Sequence, residues 1–117
     1  MAKRLIYEQP PELSREELEA EFASNNSERI FNALLSAFYT EPPDLLEGWC
    51  YKFAEHPGEA ARRGAAVVLG STAQVHGLRD FTRAVSVPAK LRQDPALKTY
   101  VDDSLEIVLH SGRKQIQ

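Results

Sequence analysis

Apolar residues along this chain recur at helical spacing in six separate stretches, and no stretch alternates with period two for long. Ser14 has the features of an N-cap with Glu17 as its capping-box partner, and Leu18 and Phe22 face inward on a short first helix that Asn25-Asn26 ends. Asn26 or Ser27 caps a second helix with the stripe Ile30, Phe31, Leu34, Leu35 and Phe38, broken by Pro42-Pro43. Asp44 is read as the cap of a third, with Leu45, Leu46, Trp49, Cys50 and Phe53 on one face. His56-Pro57-Gly58 forms a turn. The fourth helix is predicted over 59–76, built inward from Ala61, Ala65, Val68, Leu69, Thr72 and Val75, with Gly77 placed to stop it. Asp80 opens a fifth through Phe81, Ala84, Val85 and Leu91, which Pro88 is expected to kink or split. Asp94-Pro95 starts a sixth with the face Leu97, Val101, Leu105, Val108 and Leu109, closed by Gly112. The reading is all-α and a single domain over 1–117, with 1–12 an irregular lead-in and 113–117 a frayed tail.

The stretches repeat one another. Offset by 36, Asp44 falls on Asp80, Leu45 on Phe81, Ala61 on Leu97, Ala65 on Val101, Leu69 on Leu105, Thr72 on Val108 and Ala73 on Leu109. At an offset of 34, Gly64, Ala65, Val68, Leu69 and Thr72 fall on Ile30, Phe31, Leu34, Leu35 and Phe38. A period of this size with helical spacing inside each unit is the signature of stacked helix pairs. Helices one and two, three and four, and five and six are therefore expected to form three antiparallel hairpins, the first a shortened, capping version of the others.

Composition narrows the function classes. With 43% hydrophobic residues the chain can bury a core, and a net charge of −3 argues against general nucleic-acid or anionic-membrane binding. Cys50 is the only cysteine, so no intrachain disulfide forms, which fits a reducing, cytoplasmic setting. The opening Met1-Ala-Lys-Arg lacks an apolar run behind it, and no stretch approaches eighteen apolar residues. Charge is uneven: residues 1–60 carry twelve acids against five bases, and residues 61–117 carry nine bases against five acids, or −7 and +4. An acidic half suits a basic protein partner through steering, or is simply a solvated, Glu-rich helix face.

The run from Asp44 through Leu45-Leu46-Glu47-Gly48-Trp49-Cys50, His56-Pro57-Gly58-Glu59-Ala60-Ala61-Arg62-Arg63-Gly64-Ala65-Ala66-Val67-Val68-Leu69-Gly70 and on to Gly77 resembles a HEAT-like repeat, with a proline turn and an Arg-containing second helix. Gln93-Asp94-Pro95-Ala96 and Val101-Asp102-Asp103-Ser104-Leu105-Glu106-Ile107 resemble a more diverged copy. Over Ser27 to Gly112 the chain is similar to small bacterial HEAT-like proteins, among them immunity proteins of contact-dependent inhibition and other polymorphic toxin systems. The resemblance implies a HEAT-like α-solenoid that neutralises a cognate toxin domain, basic and nuclease-like, by tight complex formation. The alternative is a HEAT-like adaptor with no toxin partner.

Chemistry-bearing residues are sparse. His56, His76 and His110 fall at turns or helix ends, far apart and without CxxC or HxxxH spacing, so no metal site is expected. Cys50, between Trp49 and Phe53 on an inward stripe, reads as a small buried hydrophobe rather than a nucleophile, and no phosphate-loop motif occurs. No catalytic residue or cofactor is therefore expected. One of Arg62 and Arg63 is expected to pair with an acid of the next hairpin. Trp49 is expected in the core between the first two hairpins, with Tyr39 and Tyr51 nearer the surface. A partner-binding patch is expected from Tyr39, Glu41, Asp44, Glu47, Tyr51, Asp102, Asp103 and Glu106, and reversing Glu47 and Asp103 to Lys is expected to weaken binding without harming the fold. The stripe itself predicts that Leu69→Ala costs about 2–5 kcal/mol through a buried cavity; thermal denaturation beside the parent chain measures it.

Overall fold

The computed structural model describes residues 12–116, with side chains through His110. The expected lead-in falls almost wholly outside these residues. Among them the chain is all-α: α1 Arg15–Ala23, α2 Ser27–Thr40, α3 Pro43–Phe53, α4 Glu59–His76, α5 Phe81–Leu91 and α6 Lys98–Ile116.

Local chemistry sets the helix ends. Ser14 Oγ accepts from Glu17 N while Glu17 Oε1 accepts from Ser14 N, closing the capping box of α1. Asn26, rather than Ser27, caps α2 by accepting from Arg29 N at 3.1 Å. Gly77, at φ 81°, stops α4 in a conformation open to glycine. Asp80 caps α5 through Arg83 N.

Three boundaries differ from the sequence reading. Asp44 does not cap α3. Pro42 occupies the cap position and Pro43 the first turn, where a missing N–H costs nothing, and Asp44 sits one residue further in. Asp94 does not start α6. Its carboxylate is occupied by Ala96 N and Arg62 Nη2, a local turn that delays the helix to Lys98. At the other end α6 continues through Gly112 to Ile116, so that glycine does not close it, and of the expected tail only Gln117 lies outside the described residues. Pro88 does not split α5, which runs unbroken to Leu91.

Helix α4 is the centre of the packing. It lies against α2 on one side and α6 on the other, with α3 also against it; α1 packs on α2 and α5 on α6. Its buried residues are almost all small, including Ala60, Ala61, Gly64, Ala65, Ala66, Gly70 and Ala73. A Cβ added at Gly64 would stand 2.9 Å from Phe31 Cδ1 and 3.3 Å from Phe31 Cα, and one at Gly70 would stand 3.4 Å from Ser104 Cα. A side chain at 64 would therefore crowd both the ring and the backbone of Phe31 on α2. Leu34, Leu46, Leu69, Leu97, Val101 and Val108 fill the rest of one continuous core. Phe22 of α1 joins it, its ring 4.8 Å from Trp49 and 5.0 Å from Phe53, so Trp49 links the first two helix pairs as its sequence position implies.

Two glycine substitutions should therefore move stability in opposite directions. Gly64→Ala is expected to cost about 1–3 kcal/mol by overpacking against Phe31. Gly48→Ala, on α3 with nothing within 4 Å of the added methyl, is expected to gain about 0.5–1 kcal/mol. Urea denaturation of both variants tests the pair.

Candidate functional site

The acidic residues expected to form a patch are mostly committed inside the molecule. Glu47 is 4% exposed and Tyr51 7%, so neither is a surface contact, against expectation. They sit one turn apart on α3, and the Tyr51 hydroxyl donates to Glu47 Oε2 at 2.6 Å. The same carboxylate accepts from the backbone N–H of Arg79 at 2.9 Å and of Asp80 at 3.0 Å. Glu47 thus satisfies donors at the start of α5, where the helix dipole also favours negative charge. Burial, reinforced by the Glu47 hydrogen bond, pushes the Tyr51 phenol above its ordinary range. Burial and then the Glu47 charge do the same to the Cys50 thiol, which leaves Cys50 inert as a nucleophile.

Other acids tie helices together. Glu41 receives Arg15 at 2.6 Å, Asp44 receives Arg79 at 3.0 Å, and Asp102 receives both Arg92 and Lys98. The Lys98 hydrogen bond, aided by the charge of Arg92, holds the Asp102 carboxyl below the usual carboxylate range. Arg62 donates to the carbonyls of His56 and Pro57 and to Asp94, an acid beyond α5, as its position implied. Of the expected patch, Tyr39, Asp44, Asp103 and Glu106 are exposed, and neither Asp103 nor Glu106 forms an ion pair among the described residues. The acids are not brought together: Asp44 and Glu47 converge on residues 79–80, Glu41 lies against Arg15, and the others line α6.

The histidines do not converge either. His56 Nδ1 accepts from Gly58 N at 2.8 Å, which leaves Nε2 to donate to Asn25 Oδ1 at 2.9 Å, a structural role beside the start of α4. No group of three or more His, Cys, Asp or Glu side chains is gathered among the described residues. A narrow cleft of about 100 Å³ runs between α3 and α5, lined by Tyr51, Glu55, Arg83 and Lys90 among others. It opens toward a shallower depression at the His56–Pro57 turn.

The most conspicuous surface lies elsewhere, on the face where α2, α4 and α6 run side by side. The exposed large apolar side chains among the described residues are Tyr39 on α2 at 55%, Val75 on α4 at 62% and Tyr100 on α6 at 47%. Val75, expected to face inward, is the most exposed of them. Its position explains this: Arg63, Val67, Ser71 and Val75 recur at four-residue steps on the side of α4 between its contacts with α2 and α6. The Arg63 guanidinium lies 4.9 Å from the centre of the Phe31 ring and 5.5 Å from that of Tyr100, bridging all three helices. Its nearest carboxylate, Glu59, is 3.8 Å away, too far for a hydrogen bond. Near the other end of the face the Phe38 ring stands 5.3 Å from Tyr39 and 6.2 Å from His76. Asp103 follows Tyr100 by one turn on the same side of α6.

Sequence reasoning missed Arg63 and Tyr100 in this role. The available signal was the exposed-side spacing of Phe31, Arg63 and Tyr100, near the repeat period, which inward stripes obscured. Compared with known protein families, with curated proteins and with solved structures, the chain matches none.

Glu47 provides the test of the site's internal chemistry. Replacing it with Ala leaves two backbone N–H groups and a phenol without their acceptor and is expected to cost about 1–3 kcal/mol. Glu47→Lys should unfold the chain or lower its melting temperature more than Glu47→Ala does, contrary to the neutral effect its sequence position suggested. Calorimetric melting of the two variants, beside Asp44→Ala as a surface control expected to change little, reads the difference.

Proposed function

We propose that this chain is a HEAT-like stack of three helical hairpins that works by binding another protein, and that the partner is a toxin domain which it neutralises in the cytoplasm. The observation that carries the binding reading is the exposure of three large apolar side chains on α2, α4 and α6, Tyr39, Val75 and Tyr100, with Tyr100 beside an arginine that also packs on Phe31. Exposed apolar patches rimmed by polar groups mark interaction surfaces, and Tyr and Arg are the residues that most often dominate binding energy there. The stacking of hairpins is supported by polar links between pairs, which recur at sequence separations of 32–35 residues, close to the repeat period: Ser27 to Ala61, Glu47 to Asp80, Arg62 to Asp94 and Glu55 to Lys90.

The basic character proposed for the partner rests on the acidic charge left unspent. Exposed Glu12, Glu16, Glu19 and Glu28 on and beside α1 and α2 form no ion pair among the described residues, and Asp103 and Glu106 add to them on α6. Such charge speeds encounter with a basic surface, while the aromatic face supplies the close contact. The mechanism is occlusion of the toxin's active site or of another essential surface and requires no bond chemistry. The HEAT-like adaptor is the reading that takes its place if no toxin partner exists.

Co-expression with the C-terminal domain encoded by the gene directly upstream tests this. A one-to-one complex that blocks the domain's toxicity is expected, and Tyr100→Ala and Asp103→Lys should each weaken it by ~10-fold or more with the melting temperature preserved. A harmless neighbour, or a toxic one that the chain neither binds nor blocks, would move the protein to the adaptor class.

A further inference from the structure

His56 ties together two turns that are far apart in sequence. Its Nδ1 accepts from the backbone N–H of Gly58 at 2.8 Å, and its Nε2 lies 2.9 Å from Oδ1 of Asn25, in the turn between α1 and α2. Gly58 is the cap residue of α4 and has no side chain with which to close that helix start. The start of α4 is therefore held from outside it: Ser27 Oγ, at the first residue of α2, accepts from Ala61 N, and His56 accepts from Gly58 N. The bond to Gly58 needs a lone pair on Nδ1, which only the neutral ring has. A proton placed there would meet the Gly58 N–H donor to donor, at the positive end of the α4 dipole.

We infer that His56 is an acid-sensitive latch, which fastens the α1–α2 turn to the start of α4 while its ring is neutral and releases both when the ring takes up a proton. The charged groups around it do not compensate that proton. Arg62 of α4 donates to the carbonyls of His56 and Pro57 and is answered by Asp94, beyond α5. Glu55, just past α3, is paired with Lys90 of α5, and Lys52 of α3 stands over Phe53. Glu59, beside Gly58, lies 3.8 Å from Arg63, and Arg29 of α2 is bound to Glu21 of α1. Glu28 of α2 is exposed and forms no ion pair among the described residues. Neither ring nitrogen bonds to any of these carboxylates; their partners are Gly58 and Asn25. Protonating the ring in the folded chain breaks the Gly58 bond, a loss the unfolded chain does not incur. Acid therefore favours the unfolded chain, and stability falls as pH is lowered through the histidine range. The latch stands whether or not a toxin partner exists.

Nuclear magnetic resonance of the nitrogen-15-labelled full chain, from about pH 8 down to about pH 5, gives the test. At the upper end the ring nitrogen shifts of His56 should show a proton on Nε2 and none on Nδ1. On acidification the protection of the Gly58 amide against hydrogen exchange should fall ~10-fold or more, as expected for a lost hydrogen bond, and the melting temperature should fall with it. His56→Asn separates the latch from the other titrating groups: its side-chain oxygen can accept from the N–H two residues on in an Asx turn, and it does not titrate. That variant should fold and lose most of the fall in melting temperature over the same interval. A proton found on Nδ1 at the upper end overturns the inference, as does a Gly58 amide equally protected at both ends. A His56→Asn variant that melts with the parent's pH dependence overturns it as well. Where that variant fails to fold, the ring shifts and the Gly58 amide of the parent chain decide.

Discussion

Helix α4 lies so close to α2 that an added Cβ at Gly64 would crowd Phe31, and the remaining architecture follows from that approach and from the close contact of α4 with α6. Gly64 lies against the backbone of Phe31 and Gly70 against that of Ser104, with alanines filling the turns between. Small residues give up hydrophobic area per side chain, but they let three helices share one sheet-like layer. Bulkier residues, Leu34, Leu46, Leu97 and Val101, then pack beneath that layer from α2, α3, the turn before α6, and α6. The same spacing brings Phe31 and Tyr100, from helices two units apart, within reach of one arginine. The cluster of Phe31, Arg63 and Tyr100 is therefore a by-product of backbone proximity: with a wider α2–α4 separation the guanidinium could not bridge both rings.

A second constraint is the need to satisfy polar groups where helix pairs meet. Some of the acidic side chains that give the first half its charge, Asp44, Glu47 and Glu55 among them, serve this need. Glu47 is the clearest case. A carboxylate buried without a cation is tolerated because two backbone N–H groups and the Tyr51 hydroxyl supply three hydrogen bonds. Asp44 does comparable work at the surface, where its ion pair with Arg79 orients neighbours more than it stabilises them.

Much of the fold is readable from local signals. Ser14 with Glu17, the extent of α4 and its stop at Gly77, and Asp80 ahead of α5 are all decided by nearby chemistry, so the sequence pattern and the structure agree. Disagreements arise where a distant residue competes for a local group. Asp94 resembles a helix cap, yet Arg62 and Ala96 take its carboxylate. Glu47 resembles a solvated acid, yet residues more than thirty positions away donate to it. The candidate site was the least legible part. The inward stripes dominate the periodic signal, and Val75 fits a helical stripe equally well on either side of its boundary.

The closure of helix starts by earlier residues has a consequence for how the chain acquires its structure. Ala61, in the first turn of α4, donates to Ser27 of α2, and the residues opening α5 donate to Glu47 of α3. In both cases the acceptor precedes the helix it completes by more than thirty residues. The dependence thus points from the amino end toward the carboxyl end, which is the order of synthesis. As the chain leaves the ribosome, each helix start emerges into the presence of its acceptor rather than waiting for one. The same arrangement makes the later helices poor independent folders: cut away from the residues before them, α4 and α5 would begin with donors that have lost these partners.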